Sequence, residues 1–172
     1  MVHFQLARAA TPTRFLITLF LLFLLIGQAV ATIYAYEKTG LRLHGTRIRY
    51  QGAREDEATE EFHFPISREE LLRLTHVHAY GMAMMFYLFG HVLVLTQVRP
   101  GTKMFLLGLY GIALLGFLAA PWLVKHLSAA YGCLYLGSLG GLDALAVIYV
   151  AIPIREMWFL PAVNGGPMNG SS

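Results

Sequence analysis

The sequence predicts an all-α integral membrane protein, a four-transmembrane-helix antiparallel bundle with a small hairpin-containing loop between helices 1 and 2. Three observations carry that prediction. Of the 172 residues, 56% are hydrophobic and 13% charged, a balance typical of membrane chains and of single-domain length. The apolar residues gather into four runs, about 15–36, 75–98, 104–124 and 128–152, each near the ~20 residues that cross a bilayer as helix. Between the runs lie a long polar loop, 37–66, and much shorter connections, and a polar tail, 162–172, reads as disordered.

The first run opens with Arg8 and Arg14, continues as FLITLFLLFLLI, and reaches Gln28-Ala29-Val30-Ala31. Basic residues, an apolar core and an A-x-A site together imitate a secretory signal. The apolar stretch carries on through IYAY to spanning length, so it reads as a retained anchor helix. Gly27 and Ala31 form a small-xxx-small pair that invites a neighbouring helix.

In the loop, LRLHGTRIRY alternates apolar and polar residues on both sides of His44-Gly45, the pattern of a short hairpin. EFHFP adds a candidate third strand. The acidic stretch REDEATEE reads first as a solvated face.

The second span has the clearest start. Ser67 stands three residues before Glu70, a capping-box pair, with Ile66 and Leu71 at the hydrophobic-staple positions and Pro65 ahead of them. Arg99-Pro100-Gly101 supplies the stop. About 32 residues lie between, roughly 48 Å of helix, more than the ~30 Å bilayer core. His76, Tyr80, Met84, Tyr87 and His91 fall in one sector roughly 80° wide at 100° per residue. That polar, aromatic face is expected to look into the bundle, because ionisable groups inside a membrane are costly.

In the third span, Gly108, Gly111, Gly116, Ala119 and Ala120 offer a smooth face, Pro121 introduces a kink, and Trp122 suits an interfacial belt. The turn into the fourth span is short, so spans three and four are antiparallel neighbours. Ser128 reads as the N-cap of the fourth span, Cys133, Gly137 and Gly141 as a small-residue ladder, and Pro153 as its end. With one cysteine, no internal disulfide forms.

Two levels of polar side chains suggest chemistry. Near the outer end, His76 and His126 on different spans could hold the iron of one b-type haem, with Tyr80 and Met84 lining the pocket and His78 as the alternative ligand. Deeper, His91 and Asp143 each lie about 16 residues, roughly 24 Å, below the outer ends of their helices. A buried aspartate requires a partner at its own depth. The pair reads as a structural hydrogen bond, or as a proton or quinol-binding pair.

The His76–His91 spacing on one face partly resembles the membrane subunits of b-type cytochromes. More broadly, the Thr39-Gly40…Gly45…Tyr50-Gln51-Gly52 loop, FPISREELLRLTHVH, GHVLVLT, PWL and the later REMW resemble small four-helix proteobacterial inner-membrane proteins. That likeness covers most of the chain and brings no activity with it.

The expected function is a membrane electron-transfer subunit, linking the quinone pool to an external redox protein docked on residues 37–65. The alternative is a cofactor-free accessory subunit, packed through its glycine-rich faces against other subunits of a larger respiratory or photosynthetic complex. The positive charges of Arg8, Arg14, Arg99, Lys103 and Arg155 share one side, which places both termini in the cytoplasm, and the resemblance implies a bacterial inner membrane. The formal charge of +3 is dispersed and offers no surface for nucleic acid. No Walker loop, GxSxG, HExxH or paired CxxC marks an autonomous catalyst.

Overall fold

A computed structural model describes residues 6–53 and 64–160. Five α-helices follow a short 3-10 turn at Leu6–Arg8: α1 (Thr11–Thr39), α2 (Leu43–Gln51), α3 (Arg68–Val94), α4 (Pro100–His126) and α5 (Gly132–Phe159). A second 3-10 turn, Ala129–Tyr131, leads into α5. Among the described residues, α1, α3, α4 and the stretch Ala129–Phe159 are the four segments long and apolar enough to cross a membrane. α1 and α4 run from the N-terminal side towards α2, while α3 and α5 run back.

α5 is the centre of the bundle, packing on α1, α3 and α4, while α1 and α3 stand apart. α1 is accordingly the least buried span and α5 the most. The N-terminal half is closed by an aromatic wedge of Phe89, Tyr110 and Tyr149, whose ring centroids are 5.5 to 6.4 Å apart. Gly116 brings α4 and α5 together: a Cβ there would stand 2.4 Å from the Ser138 hydroxyl.

The α3 start is formed as its sequence predicts. The Ser67 hydroxyl accepts from the Glu70 N–H at 3.0 Å, and Ile66 and Leu71 are both buried in one cluster. The reciprocal half of the capping box is replaced, because the Glu70 carboxylate pairs with Arg49 of α2 at 3.1 Å. At the other end α3 stops at Val94, short of Arg99. The Lys103 ammonium takes the carbonyls of Val94 and Thr96, and the Gln97 N–H turns to the Glu156 carboxylate at 2.6 Å. These side chains satisfy terminal backbone groups that further helix would have used.

Two other boundaries differ from the sequence pattern. Ser128 caps the 3-10 turn, accepting from the Ala130 N–H, rather than α5 itself. Pro153 does not end α5, which continues to Phe159. Pro153 removes only one donor, and the following turn is held by the buried Met157 side chain and by Arg14, whose guanidinium donates to the Met157 carbonyl at 2.7 Å.

The hairpin expected in LRLHGTRIRY is instead α2, and the described residues contain no strand. An isolated hairpin leaves its outer backbone groups unpaired, whereas a single helix satisfies its own. Gly40 ends α1 in the left-handed conformation (φ 59°), a geometry that favours glycine. α2 then lies across the end of the bundle, with Thr46 against Gly132. Its Gln51 amide donates to the Val124 carbonyl at 2.6 Å, and Lys125 reaches the Ile66 carbonyl. In EFHFP, Phe64 and Pro65 have no regular structure. Residues 61–63, the acidic stretch 54–61 and the tail 162–172 lie outside the described residues.

Candidate functional site

Because α1 leans on α5 and not on α3, a cleft of about 860 Å³ separates α1 from α3 in the half of the bundle nearest α2. Gly27, Ala31 and Ala35 line the α1 wall, and a Cβ at Gly27 would touch nothing within 4 Å. The small-residue pair therefore makes room for the cleft rather than for a neighbouring helix of this chain. His78, Met82 and Met85 line the α3 wall, and Phe117 and Tyr135 the floor. The mouth, through exposed Val30, Tyr34, Val77 and Gly81, opens on the outer surface of the bundle.

At the α2 end the cleft meets Tyr50, edge-on to Tyr135 at 5.9 Å. Burial, with the Tyr135 phenol beside it, pushes the Tyr50 hydroxyl well above the usual tyrosine range, so it stays neutral at physiological pH. Lys38, Arg49 and Arg73 also line this end.

His78 is the one histidine in the cleft lining. Its Nδ1 lies 2.7 Å from the Leu74 carbonyl oxygen. A carbonyl only accepts, so Nδ1 carries the proton and donates, which leaves Nε2 as the acceptor of the neutral ring. The same ring is 6.1 Å from Phe117 of α4.

No hydrogen bond or ring contact joins His76 and His126. Both are exposed, each resting on an aromatic ring one turn away in its own helix: His76 on Tyr80 at 4.9 Å, His126 on Trp122 at 5.9 Å. α3 and α4 meet where the Trp122 indole donates to the Thr75 hydroxyl at 2.9 Å, and His126 is a further turn beyond that level. The face carrying His76, Tyr80, Met84, Tyr87 and His91 points out of the bundle rather than into it.

Asp143 also has partners other than His91. Its Oδ1 accepts from the Gln28 amide at 2.7 Å and from the Thr32 hydroxyl at 2.8 Å, both on α1. His91 stacks on Tyr87 at 5.8 Å on the exposed face. Depth matching holds with a different helix: Gln28 stands eleven residues from Thr39 and Asp143 eleven from Gly132, each roughly 16 Å below its helix end. These are the polar contacts that tie α1 to α5 beside the floor of the cleft. Among the described residues no group of three or more His, Cys, Asp or Glu side chains is placed to hold a metal ion.

A family model, Aq_1264_TM, described as a transmembrane helical domain, matches residues 40–164. The chain belongs to this family. No curated protein and no solved structure matches it. The Aq_1264_TM match begins at the glycine that ends α1, so the matched residues carry α2 to α5 and α1 precedes them. The cleft is thus built between the matched residues and the preceding helix, and the Gln28–Asp143 contact joins the two.

Gln28 and Thr32 escape a reading of the sequence because QAVA there imitates a cleavage site. The signal that finds them is position: an amide and a hydroxyl one turn apart, at the depth of Asp143. Tyr50 escapes because its segment reads as a strand.

Proposed function

We propose that the protein is a membrane electron-transfer subunit that holds a quinone-class molecule in the cleft between α1 and α3, with His78 as its hydrogen-bonding partner. The observation that carries this reading is a cleft between α1 and α3 whose wall holds an imidazole with one nitrogen tied to its own helix and the other unpaired. With Nδ1 donating to the Leu74 carbonyl, Nε2 is free to accept a hydrogen bond from a quinol hydroxyl. The apolar tail leaves between α1 and α3 into the bilayer. A b-type haem is the other occupant, with His78 rather than His76 and His126 as its ligand. The external redox partner docks on the side bearing α2. The N-terminal side, with Arg8, Arg14, Arg99, Lys103 and Arg155, faces the cytoplasm of a bacterial inner membrane.

The test is binding of decylubiquinone to the purified chain in detergent, alongside a reduced-minus-oxidised spectrum. Wild type binds the quinone, His78→Ala weakens binding about tenfold, the worth of one good hydrogen bond, and Ala31→Phe blocks it. Equal binding by His78→Ala, or none by wild type, sinks the quinone reading. A b-type spectrum lost in His78→Ala would put haem in its place.

One observation favours an accessory role. Cys133, Gly137 and Gly141 line a shallow apolar groove of about 520 Å³ between α4 and α5, and a Cβ on Gly137 meets nothing within 4 Å. On this reading a helix of a neighbouring subunit fills the groove. Gly137→Leu, harmless to the fold itself, then strips co-purifying subunits from the protein in native membranes. Unchanged co-purification rules this reading out.

A further inference from the structure

α3 carries two seams on opposite sides, both with the three–four spacing of a left-handed helix crossing. One runs through Leu71, Thr75, His78, Met82, Met85 and Phe89, all buried or half-buried within the chain. The other runs through Val77, Tyr80, Met84, Tyr87, His91 and Val94, at intervals of 3, 4, 3, 4 and 3 residues. Among the described residues no helix covers it: Val77 is 60% exposed, Tyr80 73%, Met84 61%, Tyr87 64% and Val94 53%, and His91 is exposed.

We infer that this outer seam is the interface with a second copy of the chain, α3 packing parallel on α3 about a two-fold axis along the membrane normal. Copies inserted in the same direction bring each position to its own equivalent at the same depth. The polar groups on the seam suit such a meeting. The Tyr80 and Tyr87 hydroxyls and the His91 imidazole each offer both a donor and an acceptor, so each pairs with its own copy. A helix of unlike sequence has to place matching partners at three depths, whereas a second copy does so by symmetry. In lipid there is no hydrophobic drive to cover the face, and the drive is packing together with these hydrogen bonds. Ala83, exposed beside the seam, leaves room for close approach. His76 flanks the interface, with its ring on Tyr80.

The test uses the full chain in native membranes, in a Cys133→Ser background, with single cysteines placed along α3 and oxidised with copper phenanthroline. Cysteines at Tyr80, Met84 and Tyr87 give a disulfide-linked species of twice the chain mass. Cysteines at Met82 and Met85 on the inner seam, or at Phe23 and Ile112 on other exposed faces, do not. Absence of that species at all three outer positions overturns the inference, as does equal linkage at Phe23 or Ile112, or linkage only to a protein of different mass. In an independent measurement, energy transfer between differently labelled copies falls at least tenfold in Tyr80→Leu/His91→Leu. Both side chains lie on the outer face, so this variant keeps its helical spectrum. Transfer unchanged by the double substitution overturns the inference as well.

Discussion

Replacing Gly45 by alanine should unseat α2 from the bundle. A Cβ at this position would stand 2.0 Å from the Thr39 carbonyl oxygen, 2.7 Å from its carbon and 3.2 Å from its Cα. All three atoms are backbone, in the last residue of α1, so no rotamer change relieves the clash. The first turn of α2 must lift away, and the contacts further along it are lost: Arg49 with Glu70, Tyr50 with Tyr135, Gln51 with the Val124 carbonyl. Forced overpacking of this kind costs about 1–3 kcal/mol, and here the upper end is expected because lost contacts add to the clash. Thermal unfolding in detergent measures the loss, and tryptic cleavage at Arg47 and Arg49 should accelerate as α2 lifts. Gly137→Ala is the control: with nothing within 4 Å of its added methyl group, it leaves stability and cleavage unchanged. An equally stable, equally protected Gly45→Ala protein would mean that α2 does not sit on the end of α1.

Gln28→Leu should loosen α1 from α5 beside the cleft, while Arg14 and Thr18 still hold the N-terminal half of α1 to Met157 and Trp158. The substitution removes the donor 2.7 Å from Asp143 Oδ1 and leaves the carboxyl with Thr32 alone. A polar group left short of partners costs about 1–3 kcal/mol, more when charged. α1 is the least buried span and has little packing to compensate. Asp143→Leu also destabilises, because it leaves the buried Gln28 amide without its acceptor, while the Thr32 hydroxyl keeps the Gln28 carbonyl of its own helix at 3.2 Å. Once the carboxyl is gone, Gln28→Leu has little left to remove, so the double variant loses less than the sum of the single changes. Chemical unfolding of all four proteins in one detergent gives the coupling directly. Strict additivity would show that the Gln28–Asp143 contact contributes nothing, and a matching loss in His91→Leu would restore His91 as the partner of Asp143.

The two results together probe the cleft from both ends. Gly45→Ala removes its α2 roof and Gln28→Leu loosens its α1 wall, so on the quinone reading proposed above each should also weaken binding, while leaving the aromatic wedge of Phe89, Tyr110 and Tyr149 closed.

What the sequence by itself determined is the set of features written along one helix at a time. Span length and apolar run place α1, α3, α4 and α5. The Ser67 cap and the Ile66–Leu71 staple fix the start of α3 to the residue, and the need for a depth-matched partner to Asp143 follows from burial cost alone. What only the tertiary structure decided is azimuth: which face of each span meets protein and which meets lipid. In water, polarity answers that question, but lipid tails are as apolar as a leucine core, so a membrane helix carries little signal of which way it turns. Hence the His76–His91 face, polar and expected inward, points out, while Gln28, hidden in a run that imitates a signal sequence, turns in to hold Asp143. α2 shows the same limit for short elements. Its alternating letters fit a strand, and the helix wins because the end of α1, Gly132 and the Val124 carbonyl offer it a seat that no local pattern records.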